Sequence, residues 1–270
     1  VIACLAGALT QQAAAARMHI YPDGDAFYLR RTLAERLGVD PAEVFLGHGS
    51  NEIIALLGHV YLGPGTNIVM ADRAFVVYRL VASLYQAETI AVPMREHTHD
   101  LEALRAAITP ATRLVFVANP NNPTGTRVDN AALDRFLEGL PDHVVAVVDE
   151  AYVELLPPGE QPDLIKHVKA GRPVIVLRTF SKTYGLAGLR IGYAVAGREG
   201  IALLNRVRQP FNVNAMALEA ALAALADEDH VERTRRMVHD GLRQLEQGCR
   251  ALGVDWVPSC ANFLLVRVGH

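Results

Sequence analysis

The 270-residue sequence is poor in cysteine, poor in aromatic residues and nearly neutral. Cys4, Cys249 and Cys260 form neither a CxxC pair nor an even set. That excludes a disulfide scaffold and a thiolate zinc cluster, and it suits a reducing compartment, so a cytoplasmic protein is expected with the three cysteines as small core residues. Lys and Arg number 26 against 29 Asp and Glu, a formal net charge of −3. Such a balance gives no general attraction to nucleic acid or to an anionic membrane, so the expected partner is a small molecule. No apolar run is long enough to cross a bilayer, and neither an internal repeat nor a low-complexity linker is present.

What the chain does have is 51% apolar composition, enough for one sizeable core, or for one large domain with a smaller one attached. The opening "VIACLAGALTQQAAAARM" lacks a basic leader and is interrupted by Gln11 and Gln12. Ile2, Leu5, Leu9 and Ala13 fall instead at helical spacing, which predicts an amphipathic helix. From residue 44 short β-rich runs ("VFLG", "NIVMA", "TIAVPM", "RLVFVANP", "VVAVVDE", "PVIVLRT", "RIGYAVA") alternate with helix-like segments such as "LEALRAAI" and "NAALDRFLEGL". Continuous apolar strands separated by helices predict an α/β fold with a mostly parallel sheet flanked by helices. Met216 to Ala251 reads as one or two long helices whose charges form a solvated face rather than a nucleic-acid site, since acidic residues are interspersed and no aromatics accompany the arginines. "VDWVP" and "NFLLVRVG" then read as strands of another unit. The expected division is an N-terminal helical segment at 1–18, a large ligand-binding domain at 19–225, and at 226–270 the start of a second, smaller C-terminal α/β domain that the sequence cuts short. The first residue is Val rather than Met, and a preceding piece is expected to be missing.

In an open α/β sheet, ligands bind beyond the carboxyl ends of the strands. At one such end stands "NPNNPTGT", residues 119–126, where two Asn-Pro pairs in one turn aim the Asn122 amide into the crevice. Singly, each pair is an ordinary turn former. Another strand delivers Asp149, with Glu150 and Tyr152 after it. A carboxylate at the end of a buried strand requires a cation, supplied by an internal arginine, a helix N-terminus or a protonated heterocyclic nitrogen. "GHGSNE", residues 47–52, leaves a strand and opens a helix, which makes an anion site unless Ser50 or Asn51 is simply its cap. It lacks the third glycine of a dinucleotide fingerprint. Phe75 follows a strand end, where it either packs in the core or presents its face to a flat ligand. His97 and His99 in "HTHD" lack metal-ligand spacing and read as part of a polar loop.

The stretch "RTFSKTYGLAGLRIG", residues 178–192, places Lys182 after a strand, among Thr179 and Ser181, with Arg190 eight positions on. An amine in a hydroxyl-rich turn with a cation nearby can form a Schiff base with an aldehyde. Together these residues offer a lysine for an aldehyde, a carboxylate for a pyridinium, hydroxyls and an arginine for a phosphate, and an aromatic ring for stacking. Pyridoxal 5'-phosphate carries all of those groups, and no metal is called for.

With these residues in view, the sequence resembles the fold-type I pyridoxal-phosphate aminotransferases, and within them the histidinol-phosphate aminotransferase family. The resemblance runs through "YPDGDAFYLRRTLAERLGV", "GHGSNEII", "NPNNPTGT", "VVDEAYVE", "RTFSKTYGLAGLRIGYA", "PFNVN" and "ANFLLVR". It implies that Lys182 is the Schiff-base lysine, that Asp149 partners the pyridine nitrogen, that Asn122 and Tyr152 bond the ring oxygen, and that Phe75 stacks on the ring. The phosphate falls to the Ser50 and Asn51 backbone groups, Thr179, Ser181 and Arg190. Tyr21 matches a tyrosine that reaches the phosphate of the neighbouring subunit, which implies a homodimer. Lys182, Asp149 and Tyr152 are then the catalytic set, the donor an amino acid or amine and the acceptor a 2-oxo acid. The family's N-terminal arm and its C-terminal carboxylate-binding arginine are not found here. An aromatic amino-acid aminotransferase, a decarboxylase of a phosphorylated amino acid, and a cofactor-binding regulatory module remain as alternatives.

Overall fold

A computed structural model describes residues 15–268. The predicted helix at Ile2–Ala13 and Cys4 lie outside the described residues. Seven strands form one sheet: β1 (Val44–Gly47), β2 (Asn67–Ala71), β3 (Glu88–Val92), β4 (Thr112–Ala118), β5 (Val145–Asp149), β6 (Val174–Thr179) and β7 (Gly192–Val195), in the spatial order β1-β7-β6-β5-β4-β2-β3. Each matches one of the β-rich runs. Strands β3, β2, β4, β5 and β6 run parallel, while β7 is antiparallel to both β6 and β1. Runs buried on both faces do not distinguish these directions, so the reversal of β7 was not legible in the sequence.

Alternation along each strand divides the core into two layers. Leu114, Phe116 and Ala118 of β4, with Val147 and Leu177, face a layer built with α2 (Gly49–Tyr61), α3 (Val77–Leu84) and α7 (Arg198–Val207). Val115, Val117, Ala146, Val148 and Val176 face the other layer, covered by α1 (Phe27–Leu37), α4 (Leu101–Ala106), α5 (Asn130–Glu138), α6 (Ile165–Lys169) and α8 (Ala215–Ala226). Ile53, Ile54 and Leu57 of α2 are fully buried, and each contributes about 1.5–3 kcal/mol on leaving water. The same period-two rule sends Asp149 to the first layer and its neighbour Glu150 to the second.

Four helix starts are closed by their own side chains. Asp100 accepts from the Ala103 N–H at α4, Asp129 from Ala132 at α5, Asn214 from Ala217 at α8, and Asp227 from His230 at α9 (Glu228–Leu252). α2 has no side-chain cap, a difference that matters below. The predicted long helical region resolves into α8 and α9. The exposed face of α9 carries ion pairs within the helix, Arg236 with Glu232 and Arg243 with Asp240, in keeping with a solvated surface. β8 (Trp256–Val257) and β9 (Leu265–Val266) form a separate two-stranded antiparallel sheet, far shorter than the runs that predicted them. Cys249 and Cys260 are half-buried rather than core residues.

Candidate active site

A cavity of about 230 Å³ opens at the carboxyl ends of β4, β5 and β6, and its walls bring together Ser50, Asn51, Phe75, Asn122, Asp149, Tyr152, Thr179, Ser181, Lys182 and Arg190. These residues are spread over 140 positions of sequence, from 50 to 190. Tyr21 alone of the expected residues is elsewhere. It is 78% exposed and stacks on Phe211, with ring centroids 4.7 Å apart.

At the floor lies Asp149, 5% exposed. Its Oδ2 accepts a hydrogen bond of 2.7 Å from the Tyr78 hydroxyl, and its Oδ1 accepts from the Ala151 N–H at 3.2 Å. Burial raises the Asp149 carboxyl, against which the Tyr78 hydroxyl, the Ala151 N–H and the Lys182 charge all act. Neither bond supplies a full positive charge, so the carboxylate has room for a cationic partner in the cavity. Tyr78 itself stacks on Phe116 at 4.4 Å and meets the edge of Phe75 at 5.7 Å. Sequence reasoning missed Tyr78. The signal was there: it sits one helical turn after Phe75 in "FVVY", and a buried tyrosine hydroxyl needs a partner.

Lys182 Nζ lies 5.4 Å from the centre of the Tyr152 ring. Tyr152 is buried; burial and the Asp149 charge raise its phenol, and the Asn122 amide opposes them. Phe263 of the C-terminal segment contacts Tyr152 edge-on at 5.4 Å. Phe75 is half-buried with its ring on the cavity wall, rather than inside the core. Asn122 follows the cis peptides Asn119–Pro120 and, on its other side, precedes Pro123 in cis as well.

The far end of the cavity is built for an anion. Ser50 and Asn51 are not caps: the cap position is His48, and both residues lie inside the first turn of α2 with main-chain N–H groups that have no intrahelical partner. The Glu52 carboxylate holds the loop by accepting from the His48 N–H at 2.6 Å and from Asn212 Nδ2 at 2.7 Å. Arg190, itself in the left-handed region at φ 57, stands over Gly49. A Cβ on Gly49 would lie 2.7 Å from Arg190 Nη2, and its φ of +75 also favours glycine. Gly192 is needed for a different reason, since a Cβ there would meet the Ser50 nitrogen at 2.6 Å. The Thr179 hydroxyl accepts from the Ser181 N–H at 3.1 Å, fixing the turn that carries Lys182. Unclaimed N–H groups, an arginine and two hydroxyls at one end, a buried carboxylate at the other and a lysine between them fit pyridoxal phosphate group by group.

The family described as aminotransferase class I and II matches residues 1–270. The chain belongs to that family. This aminotransferase is 50% identical over 250 residues to histidinol-phosphate aminotransferase 2 of Pseudomonas aeruginosa, an alignment covering 93% of this chain and 68% of that protein. It is 49% identical over 258 residues to the histidinol-phosphate aminotransferase of Moorella thermoacetica, covering 95% and 67%. Its fold superposes on the crystal structure of histidinol-phosphate aminotransferase from Sinorhizobium meliloti in complex with pyridoxal-5'-phosphate with a TM-score of 0.94 at 28% identity, over 99% of this chain and 73% of that one. L-threonine-O-3-phosphate decarboxylase from Porphyromonas gingivalis also superposes, with a TM-score of 0.82 at 26% identity, over 97% and 78%. The chain is a pyridoxal-phosphate-dependent enzyme, and among its described residues no helix is long and apolar enough to cross a membrane.

Proposed function

We propose that this aminotransferase transfers the amino group of L-histidinol phosphate to 2-oxoglutarate, giving imidazole acetol phosphate and glutamate, as a cytoplasmic step of histidine biosynthesis. The observation that carries this reading is the convergence of one lysine, one buried carboxylate and one anion-binding helix start in a single cavity, in a chain about half identical to relatives named for that activity.

When bound, the cofactor supplies an aldehyde and an electron-accepting ring. Lys182, on the cavity wall, would hold the aldehyde, and its amine would serve as general base toward the substrate Cα proton and then as general acid. Asp149, whose carboxylate accepts from the Tyr78 hydroxyl and the Ala151 N–H, would face the ring nitrogen and favour its protonated form. Asn122 and Tyr152 would bond the ring oxygen and Phe75 would cover the ring face. The N–H groups of Ser50 and Asn51, with Thr179, Ser181 and Arg190, would hold the phosphate. Tyr21, exposed on its own subunit, would reach the phosphate of the partner in a homodimer, so that both sites would form together.

Steady-state turnover with histidinol phosphate, phenylalanine and tyrosine, each with 2-oxoglutarate, tests the substrate. Histidinol phosphate should give a kcat/KM well above the other two. Carbon dioxide release from O-phosphothreonine exceeding transamination would support a decarboxylase instead. Sedimentation should give a dimer, and a monomer with full cofactor affinity would remove the role given to Tyr21.

A further inference from the structure

The "HTHD" loop has no part in the site as described so far. The expectation of a plain polar loop fails at His99, which is 6% exposed. Its Nε2 lies 3.0 Å from the Ala118 carbonyl oxygen. A carbonyl only accepts, so Nε2 carries the hydrogen and the imidazole donates.

The place of that bond is specific. Ala118 ends β4 and lines the cavity. The Asn119 N–H points to β5, where it donates to the Asp149 carbonyl at 2.9 Å, so the Ala118 carbonyl points the opposite way. On that side the register between β2 and β4 runs only as far as Val69 and Val115. His99 takes the carbonyl that the neighbouring strand does not reach. A leucine of similar bulk would fill the space and leave the oxygen unpaired, which is costly when buried.

Asn121 extends the tie. Its Nδ2 donates to the Arg73 carbonyl at 3.0 Å and to Thr124 Oγ1 at 2.8 Å, and its own N–H and carbonyl bond Thr126 and Gly125. Arg73 is two residues before Phe75. Thr126 Oγ1 in turn donates to the His97 carbonyl at 2.7 Å, which returns the chain to the histidine loop. His99 Nδ1 and Asn121 Oδ1 are both buried without a partner. Burial pushes His99 down to about 4, so at neutral pH the ring is an uncharged donor.

We infer that His99, together with Asn121, is a positioning residue of the cofactor clamp: the imidazole bond to Ala118 and the amide bonds to Arg73 and Thr124 lock the loops bearing Asn122 and Phe75 to one another. This rests on the reading of the cavity as the cofactor site. The chemistry demanded at position 99 is a neutral donor, not bulk and not charge.

The test compares His99→Leu, His99→Gln and Asn121→Asp. Hydrogen–deuterium exchange of the cofactor-free protein reads the clamp without any cofactor. His99→Leu and Asn121→Asp should speed exchange in 119–126 and 73–78 and leave β8 and β9 unchanged. Cofactor affinity should fall about tenfold, as for one lost buried hydrogen bond, and the pH midpoint of the bound cofactor's visible absorbance should move. The Gln amide can donate to Ala118, so His99→Gln should recover most of each effect. A His99→Leu protein with a lower melting temperature but unchanged exchange, affinity and midpoint would make His99 an ordinary core residue and overturn the inference. A Gln variant no better than the Leu variant would overturn it equally. Failure of the parent protein to bind the cofactor would sink the functional reading, while the exchange result would still stand by itself.

Discussion

The Tyr78 hydroxyl donates to Asp149 Oδ2 at 2.7 Å from a ring stacked on Phe116. The bond joins the first turn of α3 to the end of β5 and sets the carboxylate that faces the cavity. Burial pushes the Tyr78 phenol well above its ordinary range, so it stays a donor throughout the working pH. Tyr78→Phe should keep the fold and lower the rate of substrate Cα deprotonation by about tenfold, the scale of one buried hydrogen bond to a charged group. Asp149→Asn should lose far more, because on the proposed reading it removes the charge that would keep the ring nitrogen protonated. Tyr152→Phe should resemble Tyr78→Phe. Single-turnover kinetics with cofactor occupancy checked by absorbance separates the three. Near-normal deprotonation in Asp149→Asn would show that Asp149 is only a structural acid.

Borohydride reduction of the loaded protein should fix the cofactor on Lys182. Lys166 is engaged with Asp134 at 2.7 Å on the surface, and Lys169 lies near Gly38, on the other side of the sheet from the cavity. Peptide mapping that places the label on either of those would refute the assignment.

Gly49→Ala should weaken cofactor binding at least tenfold while leaving the far side of the sheet intact. The methyl would intrude 2.7 Å from Arg190 Nη2 in a backbone with φ of +75, and strain of this kind costs on the order of 1–3 kcal/mol. Equilibrium dialysis gives the affinity. An unchanged constant would mean that Arg190 does not contribute to the phosphate site.

Glu154 offers a pH test on the opposite sheet face. It is 9% exposed with one carboxylate oxygen unpartnered. Burial pushes it up to about 7, with Arg178 and Arg235 acting against this and Glu150 with it. A folded-state value above the unfolded one means that the folded chain binds more protons between the two, so this contribution is present below about pH 4.5 and is lost as pH rises through 7. Glu154→Gln removes that dependence. Relative to the parent protein its stability should gain on the order of 1–3 kcal/mol between pH 5 and 8, measured by urea unfolding. His99 contributes with the opposite sign over an overlapping window, but it is common to both proteins and cancels in the difference. A difference that stays flat with pH would show that Glu154 is ionised in the fold.

Most of the fold was legible because β-rich runs between amphipathic segments leave few arrangements open: a strand buried on both faces must be covered by helices on both sides. The residue types of the site were legible too, since Lys182, Asp149, Asn122 and the "GHGSNE" turn each carry a local requirement of charge, amide or free N–H that the sequence exposes. The sequence alone therefore determined the layer architecture, the chemistry of the cofactor and most of the positions that line the cavity. Tertiary structure decided what depends on the meeting of distant segments. The antiparallel course of β7 brings Gly192 against Ser50 and Arg190 over Gly49; the uncapped start of α2 is left open by Glu52 and Asn212; Tyr78 finds Asp149, and His99 finds a strand end that β2 does not reach. Such bonds are set by how strand ends and loops fall in space, and local periodicity carries no record of it.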